Sequence, residues 1–333
     1  MNRLDTFLAR ISVREHRLIG IALMRIVIGF ATILYCLADY DRREFLWGPT
    51  SYYSAGVART ALPHHGFSLF LLSDSRVWFE IVFHLVIVVS LAFMIFGGRS
   101  LTIAQAVLLW SLHWRNQDVL EGGDNLAQIV IIFMIFTVSN AYFAPGARNR
   151  RERMLAREAP VLRTAVHNLA AYLMVFQICV LYFMAGYWKV TGEQWQDGVA
   201  MYYISHVTGF ALSSTYAALM SNAFIGTAVT YFTVFTELAF PFAVLSVRGW
   251  VRKTVILAIE GMHLGIMVFM GLVCFGLLML GADSVCLRDD DYKTMYRYAL
   301  RLRDATLARY RRRFTAPVPS AVVAMEEDTR VAA

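Results

Sequence analysis

The stretch LIGIALMRIVIGFATILYCLA, residues 18–38, decides the fold, because it is an unbroken apolar run with a single charge at Arg25. It reaches the roughly 20 apolar residues that a helix needs to cross a bilayer. Runs of the same kind follow at 77–96, 100–114, 125–143, 166–188, 223–247 and 254–287. None of them shows the alternation of apolar and polar residues that is typical of a membrane β-barrel. Since the backbone in hydrocarbon must satisfy its own hydrogen bonds, runs of this length predict helices.

Composition points the same way. The chain is 58% hydrophobic and 17% charged over 333 residues, whereas soluble domains carry roughly 45–50% apolar and about 25% charged residues. The apolar runs make up about half of the chain and are spread from residue 18 to residue 287, so we expect one membrane domain and no large soluble one. The predicted fold is an all-α, polytopic helical membrane protein.

The last run, 254–287, is 34 residues long. As one straight helix it would measure about 51 Å at ~1.5 Å per residue. That length overshoots a ~30 Å hydrocarbon core but is short for two full passes. We therefore predict a break among Gly265, Gly271 and Gly276. The total is then about eight membrane segments, the last two short or broken.

The distribution of Lys and Arg predicts the orientation. The connections 1–17, 97–99, 144–165 and 246–253 and the stretch 288–313 hold most of these residues, whereas 115–124 and 189–223 hold one each. The positive-inside rule places the basic set, and with it both termini, on the cytoplasmic side of the inner (cytoplasmic) membrane. We expect a lead-in over 1–17, a transmembrane bundle over 18–287, a basic amphipathic helix on the cytoplasmic surface over 288–316, and a disordered tail over 317–333.

Other partners and redox chemistry have little support. No stretch interleaves basic and aromatic residues like a nucleic-acid surface, so no nucleic-acid partner is expected; the lipid bilayer is. Four cysteines lie in or beside apolar runs without a CxxC pair, and buried thiols that act as small apolar residues are the simplest interpretation.

Several polar residues interrupt the apolar runs, where each charge costs at least ~2.5 kcal/mol. Their number predicts a polar interior or cavity. We expect Arg25 to neutralise one of the buried acids, Glu80 or Glu237, or else to contact an anionic ligand. Glu260 and His263 share a helix face; a metal would need more carboxylates than the chain offers, so a hydrogen-bonded pair is favoured and metal binding is not. The full set is Arg25, Glu80, His84, Gln177, Lys189, Glu237, Glu260 and His263.

Two segments on the predicted outer face are rich in polar residues. In HWRNQDVLEGGDN, 113–125, Asp124 or Asn125 stands where a helix cap belongs, and Arg115 and Asn116 are close by in sequence. In VLYFMAGYWKVTGEQWQDGVAMYYISH, 180–206, Lys189 ends a spanning run. Lys189 either snorkels to the interface or is desolvated enough to act as a base or ligand contact. The nearby Trp and Tyr residues form an interfacial belt or the floor of a pocket.

These segments resemble the horizontally transferred transmembrane domain family. That family includes the membrane half of vitamin K-dependent gamma-carboxylase and bacterial proteins that help to mature antimicrobial peptides of the sporulation-delaying type. The resemblance covers roughly 17–290. It is strongest in YFMAGYWKVTGEQWQDGVAMYYISH and extends to the RIVIG start at 25–29, RN…GGDN, FTELAFPF and EGMHLGIMVF.

The resemblance implies that Lys189 stands at the position of the carboxylase lysine that deprotonates vitamin K hydroquinone. Asp124 stands at the position where the carboxylase uses a histidine. This position therefore does not match the catalytic pattern of the carboxylase. The chain after 290 is a short basic tail instead of a large extramembrane domain, so a complete glutamate carboxylase is not expected.

Three functions follow as hypotheses. The first is a bacterial family member that acts at the outer face of the cytoplasmic membrane, in maturation or export of a small antimicrobial-type peptide with a partner protein. The second is a membrane enzyme that deprotonates or oxidises a quinone-like ligand, with Lys189 as base. The third is a non-catalytic binding or immunity protein. We predict one outward-facing cavity with Lys189 and Asp124 as catalytic groups. The predicted binding residues are Arg115, Trp195 and Asp197 at its rim, His263 or Glu237 deeper, and Asn116.

Overall fold

A computed structural model describes residues 12–62, 66–156, 160–210 and 214–314. In these ranges the regular structure is helical and contains no strand, in agreement with the predicted fold class. The predicted disordered tail at 317–333 and most of the lead-in at 1–17 lie outside the described residues. In chain order the α-helices are α1 Leu18–Ala38, α2 Arg43–Trp47, α3 Ala55–Ala61, α4 Arg76–Phe96, α5 Arg99–Arg115, α6 Gly122–Met134, α7 Ala147–Ala156, α8 Val161–Thr191, α9 Glu193–Gln196, α10 Ala200–Ser205, α11 Ser214–Ser221, α12 Ala223–Leu245, α13 Gly249–Gly265, α14 Val273–Cys286 and α15 Asp289–Phe314.

Five helices in the described part of the chain are long and apolar enough to cross a membrane. They are α1, α4, α8, α12 and the continuous stretch Gly249–Met270 that begins with α13. The helices α6 and α14 are apolar but shorter, and α5 has 17 residues. The chain is therefore an all-helical protein with five candidate spans, and the count of eight membrane segments stays a prediction.

Small residues let these helices approach closely. A methyl group on Gly29 of α1 would lie 2.8 Å from the Ser90 carbonyl oxygen of α4, and one on Gly186 of α8 would lie 2.8 Å from Leu238 of α12. Gly20 and Gly281 play the same part where α1 crosses α14. Such contacts are typical of helix packing in lipid, where no hydrophobic force drives association and close backbone approach increases van der Waals contact.

The end of the bundle at which α1 begins, near Arg17, is called the base here, and the opposite end, near Asp39, the mouth. At the base, Arg17 donates to the Val285 carbonyl at 2.7 Å, so the start of α1 is bound to the end of α14. The Asp289 carboxylate accepts the N–H groups of Leu18 and Ile19 at 3.2 and 2.9 Å. This carboxylate satisfies two of the free amides that begin α1.

Arg25 also binds backbone groups toward the base of the bundle. The prediction that it neutralises Glu80 or Glu237 is wrong. Its guanidinium is fully buried and donates to the carbonyls of Phe93, Tyr142 and Phe143. These carbonyls lie at the end of α4 and in the turn after α6, where backbone acceptors lack helical partners. The two terminal nitrogens of this buried arginine are therefore held by free carbonyls and not by an acid, while its Nε has no hydrogen-bond partner within the described residues.

The predicted break in the last run is confirmed at Gly271. After α13 the chain forms a π-helical turn over Ile266–Met270, and Gly271 then adopts a left-handed backbone with φ of 76°. α14 starts two residues later, at Val273, and runs antiparallel to α1. π-helical turns often mark functional sites, and this one lies at the mouth.

Two connections cover parts of the mouth. Residues 39–62 and 66–75 carry α2 and α3 between α1 and α4. The segment 193–210 with 214–221, here called the cap, carries α9, α10 and α11 and packs on the first half of α12, where Met201 donates its N–H to Thr230 at 3.2 Å. Because α12 extends beyond the end of α8, the cap lies above Lys189 on the mouth side.

The helix α15, Asp289–Phe314, coincides with the segment for which a basic amphipathic helix was predicted. The described residues after Asp289, 290–314, belong to a second compact unit. Its attachment to a membrane surface stays a prediction.

Candidate functional site

The two predicted catalytic residues, Lys189 and Asp124, lie in two separate groups at the mouth. The first is an ion pair between α8 and α12: the Lys189 Nζ lies 2.8 and 2.7 Å from the two carboxylate oxygens of Glu237. The Glu237 side chain is 6% exposed and that of Lys189 is 21% exposed. Trp195 of the cap covers the ammonium, with its ring centroid 5.2 Å from Nζ. Two parts of the family resemblance, the lysine motif and the acid of FTELAFPF, thus meet in one contact.

This geometry bears on the role of Lys189. An ammonium that contacts both oxygens of a buried carboxylate is a charged anchor, and action as a base would require the pair to separate first. Trp195 adds a cation–π contact to this ammonium. The resting structure therefore favours the ligand-anchor role that the sequence left open. Asp197, the other predicted rim residue on the cap, is exposed.

The second group surrounds Asp124 at the start of α6. Asp124 and Glu121 form a reciprocal capping box: the Asp124 carboxylate accepts the Glu121 N–H at 2.9 Å, and the Glu121 carboxylate accepts the Asp124 N–H. Asp124 therefore helps to cap the start of α6, as its position before an apolar run predicted. Its other oxygen lies 3.6 Å from His113 Nε2, and Gln128 contacts the remaining nitrogen of that histidine at 2.7 Å.

Glu121 joins this group to the broken helix. Its carboxylate also accepts the Phe275 N–H, in the first turn of α14. One carboxylate therefore caps two helices whose N-termini converge where Gly123 meets Phe275. Burial raises the pKa of Glu121, the nearby Asp124 carboxylate raises it further, and the Phe275 amide opposes both effects.

Two neighbouring spaces lie beside this group. A cleft of about 470 Å³ opens at the mouth between α1, α2, the start of α6 and the Gly271 break. Beneath it, an enclosed cavity of about 10 Å³, room for about one water molecule, is lined by His113, Asp124 and Thr32. Tyr35 and Cys274 line both. The charged side chains that line the cleft, among the described residues, are Asp39 and Glu121.

Arg115 and Asn116 hold a loop. The buried Arg115 guanidinium donates to the carbonyls of Gly48 and, at 2.8 Å, Tyr53. The Asn116 amide donates to the Leu46 carbonyl at 2.8 Å. Both side chains therefore fasten the connection after α1 to the end of α5, and this connection supplies one wall of the cleft.

The two groups are separate in their contacts. Among the described residues, the contacts of Lys189 run to Glu237 and Trp195, and those of Asp124 run to Glu121 and His113. Asp124 lines the enclosed cavity and Lys189 does not. A single cavity that holds both stays a prediction without support from these contacts.

Three functional candidates escaped sequence reasoning: His113, Tyr182 and Asp283. The Tyr182 hydroxyl lies 2.9 Å from both carboxylate oxygens of Asp283, and the predicted deep residue His263 lies 3.8 Å from one of them. Asp283 stood in the apolar run 254–287 and could have been marked by the cost of a charge in such a run. Tyr182 had no such signal, because tyrosine is common in apolar helices.

Comparison with known proteins shows that the chain is similar in sequence to an uncharacterized bacterial protein. No known protein family and no solved structure matches the chain. It is 23% identical over 297 residues to the uncharacterized protein YitO of Bacillus subtilis (strain 168). The similarity covers 84% of this chain and 88% of that protein.

Proposed function

We propose that this chain is a bacterial membrane protein, related to the horizontally transferred transmembrane domain family, that works at the outer face of the cytoplasmic membrane. It binds a small cationic peptide of the antimicrobial type in the mouth cleft and, with a partner protein, takes part in the maturation or export of that peptide.

The observation that carries the proposal is the charge of the cleft. Its described lining has carboxylates at Asp39 and Glu121 and no Lys or Arg. Tyr35 and Trp47 supply aromatic surface, and aliphatic residues supply the rest. Such a space suits an amphipathic chain with a basic group better than an anionic or strongly polar ligand, because charge complementarity and apolar contact act together.

Trp47 adds a free donor. It is 1% exposed, and its indole Nε1 has no hydrogen-bond partner within the described residues. A buried donor without an acceptor costs free energy that a ligand carbonyl recovers on binding. Peptide backbones carry such carbonyls at every residue.

A binding experiment tests the cleft. The full chain in nanodiscs is titrated with a synthetic cationic amphipathic peptide while tryptophan fluorescence is followed. Asp39→Asn should weaken binding by about tenfold, a loss of about 1.4 kcal/mol. The control Asp118→Asn removes an exposed acid of the neighbouring loop that does not line the cleft, and should leave the affinity unchanged. Equal affinity of Asp39→Asn and the parent protein would contradict the proposed site.

A cellular experiment tests the role. Deletion of the gene in its native host should remove a small secreted peptide from the medium, as followed by mass spectrometry. The wild-type gene should restore it, and Asp39→Asn should restore it only in part. A culture medium unchanged by deletion would contradict a role in peptide maturation or export.

The quinone hypothesis is kept as a second candidate because the Trp195 ring lies over the Lys189 ammonium, which places an aromatic surface beside a cation. In that case a neutral quinone should bind with an affinity that falls in Lys189→Met and is indifferent to Asp39→Asn. The two variants therefore separate the two functions.

A further inference from the structure

Below the Lys189–Glu237 pair lies a second buried polar cluster. Tyr182 and Lys189 are seven residues apart on α8, so they share a helix face and are about 10 Å apart along its axis. Tyr182 donates to Asp283 of α14 at 2.9 Å. His263 of α13 brings Nδ1 to 3.8 Å from the other side of the same carboxylate. Three helices thus each supply one titratable side chain to a single point.

The cluster is buried and is bordered by aromatic rings. Asp283 is 0% exposed, Tyr182 1% and His263 2%. The ring centroids of Phe240 and Tyr182 are 4.2 Å apart, and those of Phe275 and His263 are 5.8 Å apart. Among the described residues no Lys or Arg forms an ion pair with Asp283. An isolated carboxylate in such surroundings costs many kcal/mol unless it is neutralised.

Neutrality requires one proton on the acid–base pair of Asp283 and His263. The proton resides either on the Asp283 carboxyl, beside a neutral imidazole, or on His263, beside a carboxylate that the Tyr182 hydroxyl stabilises. The distance of 3.8 Å is too long for a hydrogen bond. His263 interacts with the backbone of Ile259, one turn before it. Its Nδ1 makes no hydrogen bond of ordinary geometry within the described residues. A movement of less than about 1 Å would bring the two groups into contact, within the ~2.7–3.2 Å range for such bonds.

We propose that Asp283, His263 and Tyr182 form a buried site that takes up one proton from the aqueous phase, and that this proton exchanges between the Asp283 carboxyl and His263 Nδ1. In the transfer the carboxyl O–H bond breaks and an imidazole N–H bond forms. The aspartate left behind is held by the Tyr182 hydroxyl, and the imidazolium forms an ion pair with it. The proposal does not depend on the peptide function proposed above.

Other titratable groups face the cluster from each helix packed around it and set its pH range. Glu260 lies one turn before His263 on the same helix and acts on Asp283, and Lys189 acts on His263. The remaining groups are Glu237 on α12, Cys179 on α8, Cys286 on α14 and, through these cysteines, Arg17 at the base.

Infrared spectroscopy tests the proposal. The full chain in nanodiscs, with a heavy carbon isotope at the side-chain carboxyl of aspartate, is titrated with acid and base. A protonated carboxyl band that shifts with the isotope and changes in intensity with pH is expected. Asp283→Asn should remove that band, and the exposed Asp74→Asn should retain it. A carboxyl band with no pH dependence, or one that persists in Asp283→Asn, would overturn the proposal.

Two milder variants keep the test decisive if Asp283→Asn fails to fold. His263→Gln removes the proton acceptor, so the Asp283 band should stay at full intensity over the pH range where it changes in the parent protein. Tyr182→Phe removes the hydroxyl that stabilises the carboxylate, so the midpoint should move to higher pH. An unchanged midpoint in both variants would show that Asp283 titrates alone and would refute the shared site.

Discussion

At the scale of single residues, the contact that most constrains the site is the pair of Lys189 and Glu237. Removal of one partner from a buried ion pair leaves the other charge uncompensated, which is more costly than loss of the pair as a whole. Lys189→Met should therefore destabilise the bundle by ~3 kcal/mol, the low end of the usual range because Lys189 is 21% exposed. Unfolding in mixed micelles measures this loss.

The double variant Lys189→Met with Glu237→Leu is the matched control, since it removes both charges. It should recover most of the stability. Binding of any ligand that depends on the ammonium should remain lost. Lys189→Arg then separates anchor from base: an anchor should partly survive the exchange and a base should not. Full activity of Lys189→Met would argue that the pair only packs.

Glu121 sets a pH dependence at the cleft. Burial raises the pKa of this carboxyl above the ordinary value of about 4.3. On acidification Glu121 therefore gains its proton earlier than an exposed glutamate, and the cleft loses one negative charge. We expect affinity for the cationic peptide to fall as the pH decreases through this raised pKa, and Glu121→Gln to remove that part of the pH dependence. Affinity that is constant down to the ordinary carboxylate range would contradict the role of Glu121.

The residue scale also shows where sequence reasoning stops. Lys189, Glu237 and His263 could be selected because charges are rare in apolar runs. Their partners could not, since Lys189 and Glu237 are separated by 48 residues and the register between their helices depends on Gly186 packing on Leu238. Arg25 was misassigned because carbonyls freed at helix ends leave no trace in the sequence.

At the scale of elements, apolar runs predicted the helices well. The run 18–38 coincides with α1, and 223–247 exceeds α12 by two residues. The helix predicted over 125–143 is too long at its end. α6 ends at Met134, although apolar residues continue after it. Hydropathy alone cannot distinguish an apolar helix from the irregular apolar turn that follows it.

The break at Gly271 makes a sharp prediction. Its φ of 76° lies in the left-handed region, which costs a residue with a Cβ about 1–2 kcal/mol. Gly271→Ala should lower stability by that amount and reshape the cleft, since Gly271 lines it. Gly261→Ala is the control: it lies within α13 and has open space around a new Cβ, so it should be neutral or slightly stabilising. Equal stability of the two variants would contradict the strained break.

The helix α15 makes a prediction about lipid. Met295, Leu302, Leu307 and Tyr310 are exposed apolar residues on an otherwise basic helix. We expect this helix to lie on anionic membranes through charge attraction and shallow apolar insertion. In vesicles that contain phosphatidylglycerol, trypsin should cut the 290–314 segment more slowly than in vesicles of phosphatidylcholine alone. Equal cleavage rates in both would contradict this attachment.

At the scale of the whole molecule, the charge distribution predicts that both termini are cytoplasmic. The structure agrees in one respect: Arg17 and Asp289 meet at the base, so the two ends of the bundle lie on one side. Reporter fusions at residue 315 should be active in the cytoplasm and inactive outside. A fusion at residue 315 that reports a location outside the cytoplasm would reverse the orientation and place the cleft on the cytoplasmic side.

The meeting of α1 with α14 has a consequence for biosynthesis. Ser284 donates to the Gly20 carbonyl across 264 residues of chain, and Asp289 completes the start of α1. At a translation rate of about 5–20 residues per second, the first helix waits at least ~13 s for its partner to leave the ribosome. During that time its small-residue face stays open to the insertion machinery and to neighbouring nascent helices. Ribosomes stalled before codon 273 would therefore release a product with an orphan first helix, a natural substrate for membrane quality-control proteases.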